Sequence, residues 1–375
     1  MKKMLMYVLL VLMLCSLVLV LPAASAENGK IVFSKEEIFI MKADGSEQTQ
    51  VTNPLIDAYN WQPECSPDGN KIAFASKYRR THSHMHTEEI YIINTDGTGE
   101  TRLTYTLTPS EYGAQYPTWF PIGPKITFWW KSEVNPFTYA DTFIMKPDGT
   151  KQKPLNLGIP FLSWSPDGKK FVSFDDGEIY VMNADGTGKT PLTNNAYSDS
   201  FPVWSPDGTK IAFVSDRVDN PWVDNDIYTM NAVDGSDQTR LTFTNKDSDP
   251  AWSPDGTKIV FVSDRVDNYN IYTMNADGSE QTRLTFDGAD SPSWCPVPAP
   301  GSLEVKSSPA KAKIYINGIY TEQVTKWKFN DMAPGDYDVY VTLEGYKTPS
   351  TEKVTVVSGK TKKLDFKLHK LKKVK

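Results

Sequence analysis

The residues best suited to chemistry are three histidines in one short segment, His82, His84 and His86. In an extended loop, alternate side chains point to the same side, so the three imidazoles would converge. With an oxygen from Glu88 or Glu89 they would suit a divalent cation. Neighbouring arginines, and the lack of a recognisable group to orient the imidazoles, favour an adventitious metal site over a native one. No other cofactor is expected.

The usual catalytic signatures are missing from the sequence, which contains neither Gly-x-Ser-x-Gly nor His-Glu-x-x-His. The stretch Gly186–Thr190 ends like a phosphate-binding loop, but Asn183 stands where that motif begins with glycine. We therefore expect a non-enzymatic protein. A metal-dependent lyase or hydrolase acting on a polysaccharide is the alternative that the histidines leave open.

Two short motifs recur along the chain and must position any site. Trp-Ser-Pro-Asp-Gly followed by Ile-Ala-Phe or a close variant occurs at 204–213 and 252–261, with related copies at 65–74, 119–128 and 164–171. A second motif, Ile-Tyr-Thr-Met, Asp-Gly and Leu-Thr, follows, giving six units of about 45 residues over 27–295. Period-two alternation predicts strands and the Asp-Gly segments predict tight turns. Each unit therefore has four strands: A ends in the repeated Trp, B contains Ile-Ala-Phe, C contains Ile-Tyr-Thr-Met, and D contains Arg-Leu-Thr.

The repeat predicts an all-β fold. One four-stranded sheet cannot bury both of its faces, but six sheets arranged radially can, as in a β-propeller. The array begins at a B strand near Lys30 and ends with an A strand near Trp294. We therefore expect a six-bladed β-propeller with out-of-phase ring closure, in which the last strand completes the first blade.

The repeat resembles the propeller of TolB-like proteins over essentially all of residues 27–295. The resemblance implies the fold. It leaves function open, because that family includes protein-binding propellers and propellers attached to peptidases.

Two cysteines in the repeat form a candidate disulfide. Cys65 stands where other units have the repeated Trp, and Cys295 directly follows Trp294 of the closing blade. These blades are neighbours in the ring, and the two cysteines have the opposite strand parity that facing sheets require. An oxidising compartment would allow them to pair.

Connectivity assigns the loops to two faces of the propeller. The A–B and C–D turns are short and alike, whereas the D–A and B–C loops on the opposite face vary, so we expect ligands on this D–A/B–C face. Its carboxylates either form a ring that holds a cation or a basic peptide, or cap turns. The candidate binding residues are Tyr59, Trp61, Tyr78, Tyr112, Tyr116, Tyr139, Asp199, Trp222, Asp247, Asp249, Tyr269 and Asp290.

A second domain follows a Pro-rich linker at 296–301. Residues 302–368 alternate as short strands separated by turns, which predicts a small C-terminal β-sandwich. Ser308–Ala312, Pro334–Tyr337 and Glu344–Tyr346 resemble motifs of a PEGA-type domain. That resemblance implies an extracytoplasmic module without chemistry of its own. Residues 369–375 are interpreted as a basic tail.

The N-terminus carries a targeting pattern. Within residues 1–26, Lys2 and Lys3 precede an apolar run from Met4 to Leu21 and an Ala-Ser-Ala at 24–26. This predicts a signal peptide. An uncleaved membrane anchor is the alternative, because the apolar run is just long enough to span a bilayer. We therefore expect an extracytoplasmic protein, in the periplasm, on the cell surface or secreted.

The net charge of −6 is unevenly distributed. Residues 27–300 carry 23 Lys and Arg against 38 Asp and Glu, and residues 301–375 carry 15 against 8. The acidic body argues against a nucleic-acid partner. The basic end would permit peripheral membrane contact or is simply solvated lysine. We expect an exported propeller that binds an envelope or extracellular protein, with a carbohydrate-binding or adhesive surface protein, and hence a glycan ligand, as the alternative.

Overall fold

The computed structural model describes residues 29–53, 58–78, 88–105, 113–121, 123–134, 137–217, 225–297, 300–332, 335–357 and 359–371. Within these ranges the chain forms strands and turns, which confirms the all-β prediction. No helix in the same ranges is long and apolar enough to cross a membrane.

The repeat region forms short antiparallel strands. In chain order they are β1 (Lys30–Lys35), β2 (Glu37–Lys42), β3 (Thr49–Gln50), β4 (Ala58–Cys65), β5 (Lys71–Tyr78), β6 (Glu88–Asn94), β7 (Thr101–Arg102), β8 (Ala114–Trp119), β9 (Ile126–Val134), β10 (Phe137–Met145), β11 (Lys153–Pro154), β12 (Ser163–Trp164), β13 (Lys170–Asp175), β14 (Glu178–Asn183), β15 (Thr190–Pro191), β16 (Asp199–Trp204), β17 (Lys210–Ser215), β18 (Asp226–Asn231), β19 (Thr239–Arg240), β20 (Asp247–Trp252), β21 (Lys258–Ser263), β22 (Asn270–Asn275), β23 (Thr282–Arg283) and β24 (Asp290–Cys295).

These strands form six four-stranded sheets, which we number as blades in chain order. Blade 1 has the order β24-β1-β2-β3, so it combines strands from both ends of the array, and Ile31 of β1 lies opposite Trp294 of β24. Blades 2 to 6 each use four consecutive strands, beginning at β4, β8, β12, β16 and β20. The first strand of each set is the A strand of the repeat.

The hydrophobic core lies between neighbouring blades. Because strand residues alternate, the middle strands of each sheet are apolar on both faces, and each face is buried against the next sheet. Six clusters of buried residues join successive blades, including blade 6 to blade 1; representative pairs are Val32 and Phe74, Ile92 and Phe128, Phe120 and Phe171, Val181 and Phe213, Ile227 and Phe261, and Val260 and Phe33.

The Ser-Pro-Asp-Gly segments form the A–B turns. In blade 5, the Ser205 hydroxyl donates to the Asp207 carboxylate at 2.6 Å, and the Gly208 N–H donates to the Ser205 carbonyl at 2.9 Å. Gly208 has a φ of +73°, a conformation that glycine adopts without steric cost. The turn therefore satisfies its own polar groups.

The structure joins Cys65 and Cys295 in a disulfide. Their Cα atoms lie 5.0 Å apart although 230 residues separate them in the chain. Because Cys65 ends β4 and Cys295 ends β24, the bond links blade 2 to blade 1.

Residues 300–371 form further strands around a separate core. They are β25 (Gly301–Ser308), β26 (Lys313–Ile316), β27 (Ile319–Val324), β28 (Trp327–Met332), β29 (Gly335–Thr342), β30 (Tyr346–Lys347), β31 (Glu352–Val356), β32 (Thr361–Lys367) and β33 (His369–Lys370).

The larger sheets of this region have the orders β28-β25-β32 and β27-β26-β29-β31, and both contribute to one core that includes Val305, Val341 and Phe366. The strand β33 pairs with β30. The basic tail predicted from residue 369 therefore begins with two residues that belong to a sheet.

Candidate functional site

The six A strands surround a central cavity of about 530 Å³. Residues of β4, β8, β12, β16, β20 and β24 all contribute to its wall, together with prolines of the A–B turns. The cavity therefore follows the propeller axis.

A β-bulge shapes five of the six A strands. The pairing register shifts within β4, β8, β16, β20 and β24, each time beside a residue whose φ lies between 48° and 53°. A bulge bends its strand and redirects a side chain. The five bulge residues border the cavity: Gln62, Tyr116, Phe201, Asp249 and Ser291. With Phe161, the corresponding residue of blade 4, they form a set that we call the bulge ring.

The bulge ring has two chemically different halves. Tyr116, Phe161 and Phe201 occupy blades 3 to 5 and form an aromatic arc, with centroid distances of 6.3 Å from Tyr116 to Phe161 and 5.5 Å from Phe161 to Phe201. Asp249 and Ser291, with Gln62, occupy blades 6, 1 and 2 and form a polar arc. The cavity is therefore apolar on one side and polar on the other.

Glu64 adds a second carboxylate to the polar side. It lies two residues after Gln62 on β4 and accepts the Trp119 backbone N–H at 3.2 Å. Burial raises the pKa of Glu64 to about 7, although the Trp119 hydrogen bond acts in the opposite direction. The side chain is partly buried and lines the cavity.

Asp249 is also partly buried and lines the cavity. Burial raises the pKa of its carboxyl group to about 6, and the negative charge of Asp290 acts in the same direction. Burial also raises the pKa of the Tyr116 phenol, with a contribution from the charge of Asp249. Tyr116 of the aromatic arc and Asp249 of the polar arc therefore interact electrostatically across the cavity.

Two other predicted carboxylates are buried in ion pairs. Asp199 and Asp247 have no exposed surface. Asp199 pairs with Arg217 at 2.7 Å, and Asp247 pairs with Arg265 at 2.8 Å. The expected ring of open carboxylates therefore does not include them, because each already has a cation. Asp290 begins β24 and accepts a hydrogen bond from the Ser34 hydroxyl.

The predicted aromatic residues lie in different environments. Tyr59 and Tyr269 are 54% and 59% exposed, whereas Trp61 packs partly buried against the core between blades 2 and 3. Tyr116 faces the cavity. Tyr78 and Tyr139 lie on β5 and β10, and their side chains are outside the described part.

The histidine segment lies outside the described residues, as do Tyr112 and Trp222. Among the residues that the structure does describe, no group of three or more His, Cys, Asp or Glu side chains is arranged to hold a metal ion. The predicted site at His82, His84 and His86 therefore stays a prediction.

Besides Tyr197, three exposed rings of the repeat region were not among the predicted site residues: Tyr105, Phe243 and Phe286. Each ends an Arg-Leu-Thr-aromatic sequence, and the arginine lies over the ring at 4.6 to 4.8 Å from the centroid. The same arginine donates its Nε–H to the carbonyl of the intervening threonine. The recurrence of this four-residue sequence was the signal that could have identified them.

These rings share one face of the propeller with the other exposed aromatic residues. In the described part of the repeat region, all exposed aromatic side chains lie in D–A or B–C loops or at the start of an A strand: Tyr59, Tyr105, Tyr197, Phe243, Tyr269 and Phe286. Because antiparallel connections alternate between the two ends of a sheet, all of these positions fall on the D–A/B–C face.

Glu64, Phe161 and Phe201 were also missed by sequence reasoning. They are visible once the six units are aligned on the repeated Trp, since the bulge ring stands three positions before it and Glu64 stands one position before Cys65. The alignment does not reveal that these positions face a cavity, because the orientation of their side chains depends on the backbone conformation of the A strands.

Two family models match the chain. Residues 151–246 and 223–300 match the TolB beta propeller domain, and residues 300–372 match the PEGA domain. Together these matches agree with the motifs quoted above.

Individual proteins with a similar sequence include a TolB homologue of Chlorobium luteolum, 30% identical over 162 residues, or 41% of this chain. An uncharacterised protein of Agrobacterium fabrum is 35% identical over 167 residues, or 42% of this chain. The chain spans 35% and 52% of the lengths of these two relatives.

Among solved structures, TolB from Acinetobacter baumannii is similar in fold. The TM-score is 0.57 at 20% sequence identity, over 72% of this chain and 67% of that one. At this identity the likeness concerns the fold alone.

Proposed function

We propose that this chain, a TolB-like β-propeller followed by a PEGA domain, is an exported, non-enzymatic protein that binds an envelope or extracellular protein. Binding takes place through the D–A/B–C face. The relatives and the fold suggest a binding propeller at the cell envelope, and the proposal extends this function to the whole chain.

The observation that carries the proposal is the one-sided distribution of exposed aromatic rings. Phe243 and Phe286 are 70% and 71% exposed, which is unusual for phenylalanine in water. Exposed apolar rings gathered on one face favour an interaction surface, and aromatic residues are over-represented among those that dominate binding energies.

The arginines beneath these rings support the proposal. Arg240 lies 4.7 Å from the Phe243 ring centroid while it is also hydrogen-bonded to the Thr242 carbonyl and ion-paired with the buried Asp226. A ring supported in this way loses less rotamer freedom when a partner covers it, which strengthens binding.

The opposite face has the contrasting character. Its Asp-Gly turns use their carboxylates internally: in the C–D turn of blade 6, Asp277 accepts the Ser279 hydroxyl at 2.6 Å and the Ser279 N–H at 3.0 Å. The hydroxyl hydrogen bond is the main reason why the pKa of Asp277 is lowered. Such turns offer few unsatisfied groups to a partner.

Two features support export. The Cys65–Cys295 disulfide is a bond that persists in oxidising compartments outside the cytoplasm. The apolar segment from Met4 to Leu21 after Lys2 and Lys3 has the pattern of a signal peptide.

The experiment uses the chain without its N-terminal segment, immobilised and incubated with envelope extract of the source organism. We expect a partner protein to be retained by the wild type and lost from the double variant Phe243→Ala, Phe286→Ala. Val233→Ala is the matched control, since Val233 is 88% exposed on a C–D turn of the opposite face.

A glycan array with the same three proteins distinguishes the alternative function. Saturable glycan binding that depends on Phe243 and Phe286, with no protein retained, would replace the proposal by a carbohydrate-binding protein. Equal retention by all three proteins would contradict binding through this face.

A further inference from the structure

We propose that the central cavity is a binding site for a small organic cation with an apolar body, such as an aromatic or alkyl ammonium compound. The cavity wall comes from A strands and A–B turns, not from the exposed rings of the D–A/B–C face. The proposal is therefore independent of the protein partner.

The size of the cavity suits a small molecule. Its volume of about 530 Å³ falls in the range of small-molecule pockets, roughly 300–1,000 Å³. All six blades line it, so its shape is fixed by the closed set of sheets and not by a single loop.

The charged residues of the cavity wall favour a cationic ligand. Glu64 and Asp249 are the only charged residues among the described side chains that line it, and no Lys, Arg or His is among them. Neither carboxylate forms an ion pair with a described residue, whereas the neighbouring Asp247 and Asp199 do.

Asp249 supports a cationic ligand more strongly than Glu64 does. Its partly buried carboxyl group has no hydrogen-bond partner among the described residues and lines the cavity. A buried carboxylate without a partner is costly, and a cationic ligand would remove that cost.

The opposite wall fits the apolar part of the same ligand. Phe161 contacts Tyr116 and Phe201, and Phe174 packs behind them at 6.0 Å from Phe161. Aromatic faces attract both hydrocarbon and organic cations. A ligand with an ammonium group at one end and a hydrocarbon body at the other would match the two halves of the bulge ring.

An organic cation fits this cavity better than a bare metal ion does. Calcium needs six to eight oxygen ligands at 2.3–2.6 Å, and magnesium needs near-octahedral oxygen coordination. Glu64 and Asp249 lie on non-adjacent blades, 2 and 6, and half of the bulge ring is aromatic. The arrangement therefore lacks the converging oxygens that such a metal requires.

The test is isothermal titration calorimetry of the purified chain at pH 8 with three probes of similar size. Benzyltrimethylammonium carries a permanent positive charge, benzyl alcohol is neutral and benzoate is negative. We expect saturable binding of benzyltrimethylammonium, binding of benzyl alcohol at least 10-fold weaker, and no binding of benzoate. Benzyl alcohol binding as tightly as the cation, or absence of saturable cation binding, would overturn the proposal.

Variants locate the site. Asp249→Asn and Glu64→Gln keep the size of each side chain, and glutamine can still accept the Trp119 N–H, so both are expected to fold. We expect each to weaken benzyltrimethylammonium binding at least 10-fold. Glu47→Gln, which removes an exposed carboxylate that does not line the cavity, is the control and should leave binding within about twofold. Unchanged binding by the double carboxylate variant would contradict the site.

Phe161→Leu tests the aromatic arc separately, and we expect about 5- to 10-fold weaker binding of the same probe because one of the rings of the arc is lost.

The pH dependence of binding gives a second readout of the carboxylates. Because benzyltrimethylammonium does not titrate, weaker binding at pH 5 than at pH 8 would reflect protonation of Glu64 and Asp249. The other groups that interact with them are Asp290 and, across the cavity, Tyr116 for Asp249, and Thr118 and Trp119 for Glu64. Equal affinity at both pH values would count against a role for the carboxylates.

Discussion

Asp247 and Asp249 are two residues apart on β20, yet their surroundings differ completely. Asp247 is buried beside Arg265, whereas Asp249 sits at the bulge and borders the central cavity. In a regular strand, residues two apart point to the same side. The bulge at Asp249 breaks this rule. Because the sequence does not show the bulge, its pattern grouped the two residues as one set of carboxylates.

The environment of Asp249 makes stability depend on pH. Its folded-state pKa, about 6, lies above the ordinary value of 3.8, so the folded protein holds a proton that the unfolded chain has already released. The protonated carboxyl group is compatible with the folded protein, and stability is lost as the pH rises from about 4 to about 6, because folding then opposes ionisation of this group.

We predict that Asp249→Asn stabilises the protein at pH 8 and has little effect at pH 4. At about 1.4 kcal/mol per pH unit, the gain at pH 8 is at most about 3 kcal/mol, and water in the cavity would reduce it. Urea unfolding at the two pH values measures it.

Asp277→Asn is the control of opposite sign. The pKa of Asp277 is lowered by hydrogen bonds from Ser279, so its contribution is present at pH 8 and removal of the charge should destabilise the fold. A destabilising effect of Asp249→Asn at pH 8 would contradict the partly buried, unpaired environment described for it.

At the scale of elements, the turn motifs fix both the strands and the contacts between blades. Gly235 lies in the C–D turn of blade 5 with a φ of +71°, and a Cβ at this position would lie 2.0 Å from the Leu192 carbonyl oxygen of blade 4. Glycine is required here both for the backbone conformation and for the close approach of the two blades.

We predict that Gly235→Ala destabilises the fold more than Gly288→Ala does. Gly288 has a similar φ of +88°, but a Cβ there would have no atom within 4 Å. Gly288→Ala should therefore cost only the left-handed conformation, about 1–2 kcal/mol. Thermal unfolding of the two variants compares them, and equal losses would mean that the contact with Leu192 is easily relieved.

Much of the element order followed from the repeat. The Ile-Ala-Phe and Ile-Tyr-Thr-Met segments are strands as expected, because their alternation suits sheets buried on both faces. The D strands at Thr101–Arg102 and Thr239–Arg240 are only two residues long, so the exposed ring that follows each of them was harder to place. What fixes those rings is an arginine beneath them, a contact that alternation does not encode.

At the scale of the whole molecule, the disulfide joins the last strand of the repeat array to blade 2. The bond joins residues 230 positions apart, and so long a loop loses much conformational freedom when it is closed in the unfolded chain. The chain-entropy model gives about 5 kcal/mol for a loop of this length.

We predict that reduction with dithiothreitol lowers the melting temperature of the wild type. The double variant Cys65→Ala, Cys295→Ala should already melt lower and should not respond to dithiothreitol. This control separates the bond from other effects of the reductant. An unchanged melting temperature of the reduced wild type would contradict a stabilising disulfide.

The overall architecture was accessible from the sequence, whereas the candidate sites were accessible only in part. Six copies of a motif specify a ring of sheets, because each copy needs neighbours to bury its faces. Tyr116 and Asp249 were recognised, but their shared cavity was not, since it depends on bulges in five separate strands. The histidine segment and Trp222 lie outside the described residues, so their roles stay predictions.

The central claim is that a protein partner docks on the D–A/B–C face. Its most direct test is photo-crosslinking with p-benzoylphenylalanine placed singly at positions 243, 286 and 233 of the full chain, expressed in the source organism. We predict that positions 243 and 286 give the same crosslinked envelope protein and that position 233, on the opposite face, gives none. Adducts to the same protein from position 233 alone, or none from 243 and 286, would contradict the claim.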